Sequence, residues 1–99
     1  MSERKIESIE LKVSELNFDF GNPRKITKKD REKLEDSLNT LGDFGLIVID
    51  ENNSVIAGNQ RVTIMKEKNP DTVVLCKRLI GYSKAELRAI NIKSNSFYS

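Results

Sequence analysis

Residues Ile56-Ala57-Gly58-Asn59-Gln60-Arg61 constrain this chain more than any other stretch. They follow the apolar run Leu46-Ile47-Val48-Ile49 and the polar turn Asp50-Glu51-Asn52-Asn53-Ser54. They lead into Val62-Thr63-Ile64-Met65-Lys66-Glu67-Lys68, which has helical spacing. The order is strand, tight turn, strand, glycine, helix. A glycine at such a junction lets the backbone approach a ligand closely. The first turn of a helix carries N–H groups without intrahelical acceptors. Together with the positive end of the helix dipole and a nearby arginine, they make an anion site. The junction therefore points to phosphate or nucleotide binding. Its plain alternative is a strand–helix turn, with Arg61 in a surface ion pair with Glu67 or Asp71.

Bulk properties narrow the function classes. A length of 99 residues suits one domain, residues 1–99, with a modest core. No stretch approaches a membrane span, no signal-peptide pattern opens the sequence, and no membrane partner is expected. The single cysteine, Cys76, excludes an internal disulfide framework and fits a reducing, cytoplasmic setting. Its strand-like context, Thr72 to Leu79, reads as a buried thiol. Histidine is absent, which removes the commonest general base and zinc ligand and every histidine-based triad. Catalytic residues are unassigned and no metal ligands are expected. The net charge of +2 does not by itself argue for nucleic acid. The local cluster Arg24, Lys25, Lys28, Lys29, Arg31 and Lys33 says more, because it can meet phosphate. The competing reading is a solvated helix face interleaved with Asp30, Glu32 and Glu35.

The element order follows from periodicity and punctuation. Residues 6–13 suit a first strand, with a short turn at Ser14-Glu15-Leu16. A loop holding Gly21 and Pro23 runs from Asn17 to Lys25. Thr27 is a helix N-cap with Asp30 at the capping-box position. Leu34, Leu38 and Leu41 mark the inward face of that helix, and Gly42 ends it. Phe44 to Ile49 is a strand and Val55 to Ala57 its hairpin partner. A second helix starts near Asn59 or Gln60, buries Val62 and Met65, and stops before Asn69-Pro70. Residues 72–79 form the strongest strand. Ser83 and Glu86 then cap a last helix through Leu87 and Ile90. The fold class expected is α/β of the α+β kind, a small mixed sheet flanked by helices. The open tail, Lys93 to Ser99, suggests the N-terminal part of a longer protein.

Three ordered blocks resemble the N-terminal domain of ParB partition proteins, within the ParB/sulfiredoxin superfamily. Asn22-Pro23-Arg24 resembles an early "NPR" box. Leu34 to Asp50 resembles the family's helix-to-strand segment. Val55 to Arg61 resembles its "GERR" box. The resemblance spans roughly residues 8–95. It implies that the glycine–arginine box cradles a nucleoside triphosphate, CTP in ParB proteins and ATP in sulfiredoxin, with Mg²⁺. Carried over, Gly58 turns beneath the phosphates, Asn59 and Gln60 offer backbone N–H groups, and Arg61 adds a fixed charge. Arg24 approaches the same pocket, and Asn91 stands for the asparagine of a second box, "ENxxR".

The departures matter too. Asn59-Gln60 replaces Glu-Arg after the glycine, and Asn59 stands where sulfiredoxin has its nucleophilic cysteine, so sulfiredoxin activity is not expected. In the second box the glutamate is Ile90 and the arginine is Ser94, with Lys93 one residue away. The leading expectation is a nucleotide- or phosphate-binding domain of a DNA-associated partition, transcription-regulator or mobile-element protein. Its partners would be a nucleotide, DNA through the patch Arg24, Lys25, Lys28 and Lys29, and a second copy of the chain. One alternative is a ParB-type nuclease or phosphoryl-transfer enzyme, with Asp19, Asp30, Asp50 or Glu51 as base. The other is a ligand-free protein-interaction module.

Overall fold

A computed structural model describes residues 3–21, 27–41 and 46–95. The elements are β1 (Lys5–Lys12), a 3₁₀ turn (Val13–Glu15), α1 (Lys28–Leu41), β2 (Ile47–Ile49), β3 (Val55–Ala57), α2 (Asn59–Lys68), β4 (Val73–Ile80) and α3 (Lys84–Asn95). Among the described residues, four strands form one mixed sheet in the order β1-β4-β2-β3. The fold is α+β, as expected. β1 and β4 run antiparallel over eight pairs, from Lys5 opposite Ile80 to Lys12 opposite Val73. β2 lies parallel to β4 and antiparallel to β3.

Both faces of β2 and of the edge strand β3 are covered, which is why the two read as continuous apolar runs. On one face Val13, Leu16, Ile47, Ile49, Val55, Val62, Val74 and Cys76 form a core under α2 and the 3₁₀ turn. On the other, Val48, Ile56, Ala57, Leu79 and Leu87 form a second core under α3. Cys76 is fully buried in β4, and burial pushes its thiol up to about 11. Arg78 ties three elements together. Its Nη1 donates to Glu7 directly across on β1 at 3.2 Å, and its Nη2 donates to Asn53 in the β2–β3 turn at 2.7 Å.

Several boundaries differ from the sequence expectation. β1 starts at Lys5, and Val13 leaves the strand for the 3₁₀ turn, where its N–H donates to Thr72 O at 2.8 Å. The strand expected from Phe44 begins at Ile47. Leu46 is described outside it and 58% exposed, while Phe44 and the helix stop at Gly42 lie outside the described residues. Leu34 and Leu38 are only half-buried, and no described side chain of α1 is fully buried. α1 is instead tied to α2 by polar contacts. Arg31 donates to Glu35 at 2.8 Å and to Glu67 at 2.6 Å, and Lys68 donates to Asn39 at 2.8 Å. In α2, Val62 is buried as expected and Met65 partly so, but Ile64, not singled out from the sequence, is also buried.

The caps behave as the residue types dictate. Asp30 N–H donates to Thr27 Oγ1 at 3.1 Å at the start of α1. At α3 the box is reciprocal: Glu86 N–H donates to Ser83 Oγ at 3.1 Å, and Ser83 N–H donates to Glu86 Oε1 at 2.9 Å. That backbone bond, with Arg4 beside it at 2.7 Å, holds the Glu86 carboxyl below its ordinary range.

Candidate functional site

The site is built from the β2–β3 hairpin upward. Asp50 Oδ1 accepts the N–H groups of Asn52 at 2.8 Å and Ser54 at 2.9 Å, which folds the turn back on itself. Asn17 then pins the turn from outside. Its backbone exchanges bonds with Asn53 and Val55 at 3.0 and 2.9 Å, and its Oδ1 accepts Ser54 Oγ–H at 2.7 Å. In the sequence Asn17 opens a loop, and its bridge to Ser54 leaves no local signal because the partner is 37 residues away. The result is a β3 whose start is held by Asn17 on one side and paired with β2 on the other.

Gly58 is the N-cap of α2 and adopts φ +92°, ψ 21°. A Cβ there would sit 3.0 Å from Leu46 O and 3.2 Å from Ile47 Cγ1. Glycine is thus required twice, by the left-handed backbone and by the close approach to β2. The chain turns directly into the helix, and Val62 N–H donates to Gly58 O at 3.0 Å. α2 has no side-chain cap and no acidic residue in its first turn, and its basic residues Lys66 and Lys68 lie in the last turn. The dipole's positive end is therefore not neutralised by a side chain of that turn.

Of the expected cradle residues, Asn59, Gln60 and Arg61 form the first turn of α2 after Gly58. Asn59 is wholly buried and Gln60 is 9% exposed, while Arg61 is half-buried. Asn59 Oδ1 and Nδ2 both lack a hydrogen-bond partner. Thr63 Oγ1 donates to Asn59 O at 2.8 Å, which closes the first turn from inside the helix. Asn91 reaches the same region from α3: its Nδ2 donates to Ile56 O at 2.9 Å, two residues before Gly58. Ile90, where the second box has glutamate in the resembling family, packs on the α3-side core. Lys93 is exposed.

The basic patch divides. Arg24 and Lys25, with the whole Asn22-Pro23-Arg24 box, lie outside the described residues. Lys28 and Lys29 are exposed at the start of α1. Arg31 is committed to Glu35 and Glu67, so part of the cluster's charge is already balanced within the fold. The same bridge gives Glu67, one of the two partners considered for Arg61, to Arg31.

The candidate bases are spread out. Asp50 is the acceptor of the hairpin turn, and Glu51 accepts Gly81 N–H at 3.3 Å. Asp30 sits in the first turn of α1. Among the described residues no group of three or more His, Cys, Asp or Glu side chains is arranged to hold a metal ion. None of their helices is long and apolar enough to cross a membrane.

Comparison with protein-family models and with characterised proteins gave no match. Solved structures do match. One, described as the C2221 form of a Pnob8-like ParB-N domain, superposes with a TM-score of 0.68 at 23% identity over 91% of this chain. A second, of a pNOB8-like ParB N-domain, gives a TM-score of 0.61 at 18% identity over 96% of the chain. The chain spans only 36% and 35% of the lengths of those two chains. With a mixed four-stranded sheet and three flanking helices among the described residues, the protein has the fold of a ParB N-terminal domain.

Proposed function

We propose that this chain is a ParB-like domain of a DNA-associated protein and that it binds a nucleoside triphosphate, CTP or ATP, by its phosphates at the start of α2. The observation that carries the reading is the junction itself. A helix whose N-cap is glycine and whose first turn holds no acidic residue opens against β2, and beside it lies a buried amide with no partner. Backbone N–H groups and the helix dipole favour an anion there. Arg61 adds charge in the same turn, and Asn91 links α3 to the strand that feeds it. Among the described residues no carboxylate cluster forms a protein cage for Mg²⁺, so a Mg²⁺ arriving with the nucleotide would be held chiefly by its phosphates and water.

Titration calorimetry with CTP, ATP and GTP, each with and without Mg²⁺, tests the reading. Arg61→Ala should weaken binding about 10- to 150-fold, the value of a charge-assisted hydrogen bond. No binding of any triphosphate at millimolar concentration removes the nucleotide from the proposal. The DNA half is tested separately. Duplex binding that weakens steeply with salt supports a phosphate-contacting surface including Lys28 and Lys29, and salt-independent or absent binding refutes it. Sedimentation with and without nucleotide tests a ligand-dependent homodimer.

A further inference from the structure

The two edges of the sheet are treated differently. β3 has three residues, and two of them already bond outside the sheet: Val55 N–H donates to Asn17 O at 2.9 Å, and Ile56 O accepts Asn91 Nδ2–H at 2.9 Å. β1, at the opposite edge, runs for eight residues, and among the described residues no strand pairs beyond it. Its bonding parity follows from its end. Val13 N–H donates to Thr72 O at 2.8 Å, one step past the pairing of Lys12 with Val73. Antiparallel pairs alternate between bonded and non-bonded, so the even-numbered residues of β1 turn their N–H and C=O groups away from β4. Lys12 fits this parity, since its N–H donates to Glu15 Oε2 at 2.9 Å. Ile6, Ser8 and Glu10 turn the same way, and all three are exposed. A long open edge of this kind is a template for another strand.

We infer that the edge of β1 takes a second copy of this chain, whose β1 pairs antiparallel with the first about a twofold axis at Ser8 and joins the two sheets into one. In that register Ser8 faces Ser8 and Ile6 faces Glu10 as bonded pairs, so the outward groups of these three residues are satisfied together. Between them Glu7 faces Ile9 and Lys5 faces Leu11, so no like charges stand directly opposite. The Lys5 stem covers the half-buried Leu11, and the two Ile9 side chains become diagonal neighbours on the α2 side of the sheet. The other twofold registers are disfavoured by the same residues. An axis at Glu7 or Glu10 sets glutamate opposite glutamate. An axis at Ile9 needs the Lys12 N–H, which Glu15 holds. An axis at Ile6 sets Ser8 opposite Arg4, beyond the start of β1. Such a dimer needs no nucleotide and is independent of the phosphate-binding reading. A single strand edge buries less than a standard interface, so the dimer is weak and concentration-dependent.

The test is sedimentation of the whole chain without nucleotide, from about 10 µM to about 1 mM. The mass of the wild type should rise toward that of a dimer. Ser8→Pro should weaken association about 5- to 150-fold, the value of the two backbone bonds at the axis. Its amide faces away from β4, and proline is tolerated at such an edge position. Ser8→Glu keeps the backbone intact and sets two carboxylates at the axis, so it should weaken the dimer as well. Under oxidising conditions Ser8→Cys should cross-link, because bonded partners stand about 5.5 Å apart between Cα atoms, within disulfide range. Glu10→Cys should not, since its two copies lie four residues apart along the strand, about 14 Å. Cys76 is buried and does not compete. A wild type that stays monomeric at about 1 mM overturns the inference and leaves the phosphate site standing. A dimer undiminished in both Ser8→Pro and Ser8→Glu overturns it too, by placing the contact on another surface. Equal cross-linking of Glu10→Cys and Ser8→Cys overturns the register and with it the pairing.

Discussion

Gly58→Ala is the sharpest perturbation of the junction. Two costs add. An L-residue held in the left-handed region loses about 1–2 kcal/mol relative to glycine. The new Cβ meets Leu46 O at 3.0 Å and Ile47 Cγ1 at 3.2 Å, and β2 is an inner strand with little freedom to recede. Such overpacking costs about 1–3 kcal/mol. The sum, about 2–5 kcal/mol, is a large part of the roughly 5–15 kcal/mol that holds a small domain folded. With a urea m-value near 2 kcal/mol per M, inside the usual range, the midpoint should fall by about 1–2.5 M while m stays unchanged. Gly58→Asn separates the two costs, because asparagine tolerates the left-handed region yet still carries a Cβ. It should recover part of the loss and no more. A change below about 0.5 kcal/mol in Gly58→Ala would refute the reasoning, since neither the backbone conformation nor the contact with β2 would then be what holds the junction.

Two other outcomes follow from titrating groups. The depressed Glu86 carboxyl contributes stability that is fully present above its unfolded value near 4.3 and is lost as pH falls through its folded value. Urea titrations from pH 6 to pH 2.5 should therefore show a shallower acid loss in Glu86→Gln than in the wild type, and identical slopes would refute the assignment. Cys76, buried and raised to about 11, should resist a thiol reagent at pH 8 in the folded chain and react fully in 6 M guanidinium. Rapid reaction of the native protein would show that β4 is not packed as described.

Much of the local structure was legible because it is encoded by neighbours. The Ser83–Glu86 box, the Thr27 cap and the α2 range from Asn59 to the residue before Asn69 rest on contacts within about four residues, and the Val55–Ala57 strand on a hairpin partner six to nine residues away. The weaker readings were those in which tertiary contacts decide. The apolar spacing of α1 promised a buried face, but Leu34 and Leu38 stay half-exposed, and Arg31 and Lys68 add polar contacts between α1 and α2. Leu46 looked like part of a strand, yet pairing begins one residue later.

The sequence by itself determined that a glycine joins a strand to a helix, that the helix opens without an acid, and that histidine chemistry is absent. These are properties of residue type and spacing. Only the tertiary structure decided that β2 closes over Gly58, that Asn17 clamps the hairpin, and that Asn91 reaches Ile56 across 35 residues of chain. It alone decided that Asn59 is buried without a partner. The physical reason is that hydrogen-bond satisfaction and close approach are properties of three-dimensional neighbours. A single sequence names the donors and acceptors, but only packing decides which of them meet.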